Sequence, residues 1–240
     1  MMKSLIFVAA LFCGIILNAQ EKVIINDPLA VVRDMGRFDG IEIHGPFKVY
    51  YSVGSNYSVA ISASSESARD RISVKKSGDV LVIELENTYK NWFSNEARLK
   101  VYISSPSIKH ISASGAVDFF VTDLLKSDDL KIQFTGASDF LGKLECKRLH
   151  VHFSGASDIE LTGKVNELDA VLTGACKLNA STMKVEDAEV KVSGASKSTI
   201  NVHNNLHATA SGASHIYYYG SPQHIEINAS GASKIKRADN

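Results

Sequence analysis

The sequence predicts an all-β protein, a right-handed parallel β-helix (a β-solenoid) with coils of about 19 residues. Two observations support this prediction. Gly-Ala recurs seven times in the second half of the chain, 18 to 21 residues apart. Apolar and polar residues alternate before each Gly-Ala, as they do in strands with one buried face. The glycines are Gly115, Gly136, Gly155, Gly174, Gly194, Gly212 and Gly231, and each follows Ser or Thr.

Aligning the chain on these glycines indicates which positions face inward. The residues four before the glycine are Ile111, Ile132, Val151, Ala170, Val190, Ala208 and Ile227, and those two before it are Ala113, Phe134, Phe153, Leu172, Val192, Ala210 and Ala229. One such unit cannot bury its apolar side alone, so neighbouring units are expected to stack and share a core. A leucine-rich-repeat horseshoe has a similar period, but its Leu-rich frame and Asn position are missing.

Three segments are expected along the chain. Residues 1–19 have the pattern of a secretory signal peptide, with Lys3 followed by an apolar run from Leu5 to Leu17. Residues 20–107 are expected to form an irregular β half that begins and caps the stack. Residues 108–240 are the Gly-Ala repeat. No later apolar run approaches 18 residues, so no transmembrane segment is expected in the mature chain.

Composition excludes some functional classes. The 240 residues include 26 Lys and Arg and 26 Asp and Glu, so the formal net charge is zero. A nucleic-acid partner that relies on a large positive field is therefore not expected. Cys146 and Cys176 are expected to be free, partly buried thiols, and no Cys/His spacing of the zinc type is present. No cofactor is predicted apart from a weakly held calcium ion, considered below.

Several segments resemble a known family. They are Phe38-x-x-Ile41, Gly45-Pro46-Phe47-Lys48-Val49, Leu99-Lys100-Val101-Tyr102-Ile103 and the serial Ser-Gly-Ala-Ser units. In this order they resemble the putative auto-transporter adhesin, head GIN domain family, which is common in Bacteroidetes. The resemblance implies a right-handed β-helical fold, export and an adhesin-like role. It implies no catalytic residues.

A charged column stands three positions after each glycine. Its members are Asp118, Asp139, Asp158, Lys177, Lys197, His215 and Lys234. A solvated edge explains such a column. The alternatives are a weak cation site, most simply for calcium, on Asp118, Asp139 and Asp158, or a catalytic carboxylate set like those of β-helical pectin-degrading enzymes.

Two histidines offer a second candidate site. His150 and His152 point outward from one strand, and Asp169 is expected beside His150 on the next one. Two imidazoles and a carboxylate could bind zinc or copper. Outward histidines on strands are also common without any metal.

Aromatic clusters form the third candidate site; they are Tyr217-Tyr218-Tyr219, Trp92-Phe93 and Tyr50-Tyr51. Alternation places Tyr217 and Tyr219 outward and Tyr218 inward, in line with Ile200, and Trp92 lies in a loop of the N-terminal half. Exposed aromatic side chains could stack on sugar rings or dock a protein. Packing in the core or in a cap is the simpler explanation.

The sequence therefore favours an exported, non-enzymatic binding module, either periplasmic or at the cell surface. Its expected partner is a polysaccharide or a protein of the envelope or of a host surface. No nucleophile elbow, P-loop, dinucleotide fingerprint or His-Glu-x-x-His motif is present. A polysaccharide-degrading enzyme that uses the Asp column and a structural envelope scaffold remain alternatives. The sequence predicts no oligomeric state.

Overall fold

The structure is a computed structural model that describes residues 27–86 and 98–238. The predicted signal peptide and Trp92 lie outside the described residues. The elements are β1 (Val31–Arg33), β2 (Gly40–His44), β3 (Lys48–Val53), β4 (Ser58–Ser62), α1 (Glu66–Arg69), β5 (Ile72–Ser77), β6 (Val80–Leu85), β7 (Lys100–Ser105), β8 (His110–Gly115), β9 (Asp118–Gly174), β10 (Lys177–Gly194), β11 (Lys197–Ala210), β12 (His215–Tyr219), β13 (His224–Ala229) and β14 (Lys234–Arg237).

The all-β prediction is confirmed, but the prediction of a right-handed parallel β-helix is wrong. The strands form one 14-stranded sheet that is nearly closed, like a barrel, and their directions are mixed. Strand β4 runs antiparallel to both β1 and β7, and β5 runs antiparallel to β6. The other recorded pairs, such as β9 with β10, are parallel.

The error has a physical cause. Alternation of apolar and polar residues indicates which face of a strand is buried, whereas the connection determines the direction of the next strand. Between β5 and β6 the chain turns through Gly78 and Asp79, and Gly78 has a φ of 59°. So short a connection can only join antiparallel neighbours, because a parallel pair needs a longer crossover.

Parallel pairing brings equivalent glycines side by side. Gly115 lies opposite Gly136, and Gly174 lies opposite Gly194. The positions predicted to face inward are buried from Ile111 to Ala210, with Ile132, Phe134 and Leu172 fully inaccessible. The final pair, Ile227 and Ala229, is exposed. The inward column therefore ends in solvent.

One hydrophobic core runs through the described residues, from Phe38 to Tyr218. Its centre is a cluster of four phenylalanine rings whose neighbouring centroids lie 5.0 to 6.4 Å apart, in stacked and edge-on pairs. The four are Phe119, Phe134, Phe140 and Phe153, and each is buried.

Inward serines link neighbouring strands through their hydroxyl groups. The Ser138 backbone N–H donates to Ser157 Oγ at 3.3 Å, and the Cys176 N–H donates to Ser196 Oγ at 3.0 Å. These hydroxyls satisfy backbone donors inside the sheet, where an unpaired donor is costly.

Ser198 departs from this pattern and gives a testable prediction. It is fully buried between Leu178 and Ile216, and its Oγ has no hydrogen-bond partner in the described part of the chain. A buried, unsatisfied hydroxyl costs about 1–3 kcal/mol. We expect Ser198→Ala to raise the free energy of unfolding by about 1 kcal/mol in urea titrations.

Ser157→Ala is the matched control for Ser198→Ala. It removes a hydroxyl of the same size that does accept a hydrogen bond, so it should lower the free energy of unfolding by about 1–3 kcal/mol. Equal destabilisation by both substitutions would contradict the explanation given for Ser198.

Candidate functional site

Three outward aromatic rings stack across β7, β3 and β9. The Tyr50 and Tyr102 ring centroids lie 5.3 Å apart with planes at 12°, and those of Tyr50 and Phe120 lie 5.5 Å apart at 23°. Their chain neighbours Val49 and Phe119 point the other way, into the core. We call Tyr102, Tyr50 and Phe120 the aromatic ladder. It is a rigid feature, because each ring is held by the next and by the paired strands.

One end of the ladder is fixed by polar contacts. Tyr102 Oη donates to Asp27 Oδ2 at 2.9 Å, and Lys100 Nζ donates to the same oxygen at 3.2 Å. Partial burial alone would raise the pKa of Asp27, but these hydrogen bonds outweigh it and hold the pKa below its usual value. Burial, and then the bond to Asp27, raise the pKa of Tyr102. Tyr102 therefore keeps its proton and remains a donor.

The other end of the ladder opens onto a shallow groove of about 280 Å³. Phe120 forms one wall, and Leu141, which is 43% exposed, adds a second apolar surface. The polar lining residues are Asp139, Asp158, Glu160, Lys177 and Asn179. We call this feature the ladder groove. It combines an apolar wall with carboxylate and amide groups that can accept or donate hydrogen bonds.

Two of the three aspartates of the charged column line the ladder groove. Asp139 and Asp158 line it, and Asp158 pairs in register with Lys177. Asp118 lies opposite Lys48 instead, outside the lining. In residues 27–86 and 98–238 no grouping of three or more His, Cys, Asp or Glu side chains could hold a metal ion. The calcium site on this column therefore remains a prediction without geometric support.

The structure brings His150 and Asp169 together, as the sequence predicts. His150 Nδ1 lies 3.4 Å from Asp169 Oδ2, and His150 Nε2 lies 3.8 Å from Asp129 Oδ1. His152 points outward and is exposed, and it does not belong to this contact set. His150 lies between the carboxylates of Asp129 and Asp169, and the metal site stays a prediction.

Tyr217 lies between cations. Lys197 Nζ is 4.9 Å and Lys236 Nζ is 5.4 Å from the centre of its ring, and the His215 ring stacks at 6.2 Å. The ring of Tyr217 is therefore already in contact with side chains of the same molecule, which leaves less of it available to a ligand. Tyr219 is half-buried, and Tyr218 is buried opposite Ile200, as predicted.

The sequence marks Tyr50-Tyr51 as an aromatic cluster but does not predict the aromatic ladder, although a signal for the ladder exists. Lys48-Val49-Tyr50 and Lys100-Val101-Tyr102 are the same pattern, and Asp118-Phe119-Phe120 is a third version. Each triplet places an apolar residue inward and an aromatic ring outward. Only the third triplet follows a Gly-Ala pair, and β7 lies on the far side of β3 from β9, so chain order does not reveal the stack.

The two thiols are not candidates for reactive groups. Burial raises the pKa of Cys146 to about 12, and it also raises the pKa of Cys176. Cys176 stands two positions after Gly174, where the neighbouring units have serine, as at Ser157 and Ser196. Its Sγ lies 3.5 Å from the Thr173 carbonyl oxygen. Both residues are free cysteines with a packing role.

Comparison with known families adds to this geometry. The family model described as putative auto-transporter adhesin, head GIN domain, matches residues 37–222. The chain belongs to this family. The match includes every strand from β2 to β12, and therefore the whole aromatic ladder and the ladder groove. No curated protein matches the sequence.

Solved structures of similar fold include proteins from Bacteroides and Parabacteroides species. A putative adhesin from Bacteroides fragilis is 21% identical with a TM-score of 0.77, over 88% of this chain and 98% of that one. A putative adhesin from Parabacteroides merdae is 20% identical with a TM-score of 0.69, over 88% and 95%. A protein from Parabacteroides distasonis, described as a putative lipid binding protein, is 17% identical with a TM-score of 0.69, over 88% and 96%. At these identities the likeness concerns the fold alone.

The described part of the chain contains one short helix, α1. Within residues 27–86 and 98–238, no helix has the length and apolar character needed to cross a bilayer.

Proposed function

We propose that this member of the head GIN domain family is an exported, non-enzymatic binding module that holds a glycan in the ladder groove. The observation that carries the proposal is the combination of an apolar wall, which includes one ring of the aromatic ladder, with a polar rim. Phe120 and Leu141 supply apolar surface, and Asp139, Asp158 and Asn179 supply hydrogen-bonding groups beside it.

This combination matches the surface of a sugar ring. A pyranose has apolar C–H faces that pack against aromatic and aliphatic side chains, and hydroxyl groups that donate to carboxylates. Tyr50 stacks on Phe120, and Lys48 Nζ lies 5.2 Å from the centre of the Phe120 ring; both residues belong to β3. These contacts hold the ring in place before a ligand arrives. Preorganised side chains reduce the entropy lost on binding.

A location at the cell surface or in the periplasm agrees with this proposal. The family description is that of an adhesin, and the first 19 residues have the pattern of an export signal. A polysaccharide of the envelope or of a host surface would meet the ladder groove there. The other partner class, a surface protein, would need a larger apolar contact than this groove offers.

Retention of polysaccharides would test the proposal. The purified chain would be passed over immobilised cellulose, mannan, pectin and mucin glycans, and the release of shortened sugars would be measured in parallel. We expect retention on at least one glycan without release. Phe120→Ala and Leu141→Ala should each weaken retention by about fivefold to tenfold, because each removes part of the apolar wall.

Val32→Ala is the matched control, since Val32 is an exposed apolar residue on β1, away from the ladder groove. It should leave retention unchanged. Release of shortened sugars, lost in Asp139→Asn and Asp158→Asn, would overturn the proposal in favour of an enzyme that uses these carboxylates. Absence of both retention and release would favour a protein partner or a structural scaffold.

A further inference from the structure

The sheet is open where the chain reaches β13 and β14. β13 pairs with β11 and β14 pairs with β12, and within the described residues neither has a strand on its other edge. An unpaired edge presents free backbone donors and acceptors. We call the exposed edges of β13 and β14 the end surface.

The end surface is apolar where the core would continue. Ile225 lies opposite Leu206 and Ile227 lies opposite Ala208. Leu206 and Ala208 are buried, whereas Ile225 is 47% and Ile227 is 42% exposed. These isoleucines occupy core positions and lack a covering strand in the described part of the chain.

The opposite edge of the sheet differs. It ends in β1, a strand of three residues whose middle residue, Val32, points into solvent, and in β5, whose Lys75 and Lys76 are exposed. Short edge strands and exposed lysines on an edge are both common protections against pairing with other chains. The contrast makes the end surface the more suitable site for association.

Charge on the end surface identifies an occupant. The outward side chains of β13 include Glu226, whose Oε2 lies 3.0 Å from His207 Nδ1 of the same chain and whose other oxygen can face a partner, whereas β14 carries Lys234, Lys236 and Arg237. Two copies of β14 placed edge to edge would oppose cations, which destabilises a strand pair. Pairing β13 of one copy with β14 of the other would instead bring Glu226 close to the lysines of β14, Lys234 and Lys236. It would also bring Ile227 close to Ile235 of the other copy.

We infer that the end surface is an interface between two copies of this chain, related by a twofold axis, with β13 of each copy against β14 of the other. Each favourable contact then occurs twice. The formal net charge of zero adds no long-range repulsion between the copies. The pairing continues the hydrophobic core of one copy into the other and covers Ile225 and Ile227.

The two ladder grooves lie away from this interface. Phe120, Leu141 and Asp158 all belong to β9, and in the sheet order β10, β11 and β12 separate β9 from β14. Dimer formation therefore leaves both grooves accessible and makes the assembly bivalent. A bivalent assembly gains avidity for a polymer without any new contact within a groove.

Sedimentation equilibrium of the purified chain would test the interface between about 1 μM and about 100 μM. We expect a concentration-dependent monomer–dimer equilibrium. Ile227→Lys should raise the dissociation constant by about thirtyfold or more, because it places a charge in the apolar centre. Glu226→Lys should raise it by about fivefold to tenfold at low salt, since the twofold axis repeats the pair.

Two matched variants keep the test specific. Val32→Lys introduces the same charge on the opposite edge, and Glu167→Lys reverses an exposed carboxylate on β9, so both should dimerise normally. All four sites are exposed, so their melting temperatures should stay close to that of the original chain. A monomer at every concentration would overturn the inference, as would a dimer that Val32→Lys disrupts and Ile227→Lys does not.

Discussion

Gly155→Ala is expected to lower the free energy of unfolding by about 3–5 kcal/mol. Gly155 has a φ of 109°, which L-residues with side chains rarely adopt. A Cβ at this position would also collide with the carbonyl oxygen of Gly136, in the neighbouring segment of β9. The carbonyl oxygen and the Cα that would carry the Cβ both belong to backbone inside the sheet, so neither can move without disrupting the sheet. Urea unfolding followed by circular dichroism would measure the loss.

Gly78→Ala separates the cost of the positive φ from the cost of the collision with a neighbouring backbone atom. Gly78 also has a positive φ, of 59°, but an added Cβ there would have no atom within 4 Å. It should therefore lose only about 1 kcal/mol, the cost of the backbone conformation alone. If the two substitutions cost the same, close approach of neighbouring strands is not the reason for glycine at position 155.

Phe134→Ala is expected to destabilise the protein by a comparable amount, about 3–5 kcal/mol. The ring is fully buried, and its centroid lies 5.0 Å from that of Phe153 and 5.7 Å from that of Phe140. Truncation removes these contacts and leaves a cavity that the paired strands cannot collapse to fill. Thermal unfolding should show a fall in melting temperature of about 10 °C.

Phe134→Leu is the conservative companion of this substitution. It keeps most of the apolar volume and should cost less than about 1.5 kcal/mol. A loss of that size from Phe134→Ala itself would contradict the prediction, because it would mean that the phenylalanine cluster repacks around the missing ring.

The sequence predicts burial in this protein well because burial follows directly from strand geometry. Successive side chains point to opposite faces, so Phe134, Phe153 and Leu172 could be assigned to the core from spacing alone. Strand direction depends on turns, and sheet order depends on which edges meet. Neither β5 against β6 nor β7 beside β3 could be obtained from alternation.

The candidate site was predictable in its carboxylates and not in its aromatic wall. Asp139 and Asp158 belong to a column that the glycine spacing defines, and they line the ladder groove. Tyr50 and Phe120 come from segments far apart in the chain, and only the pairing of β3 with β9 brings them together. Tyr217 drew attention as part of a tyrosine triplet, yet lysines from its own molecule occupy its ring.

The exposed position of β13 also affects how the molecule opens. Its side chains are exposed along the whole strand, while the phenylalanine cluster lies several strands away on β9. Amide hydrogens of β13 and β14 should therefore exchange with solvent through local fraying, and those of β9 only through global unfolding. The last two strands form a unit that can detach while the ladder groove stays intact, and in the dimer that detachment is suppressed.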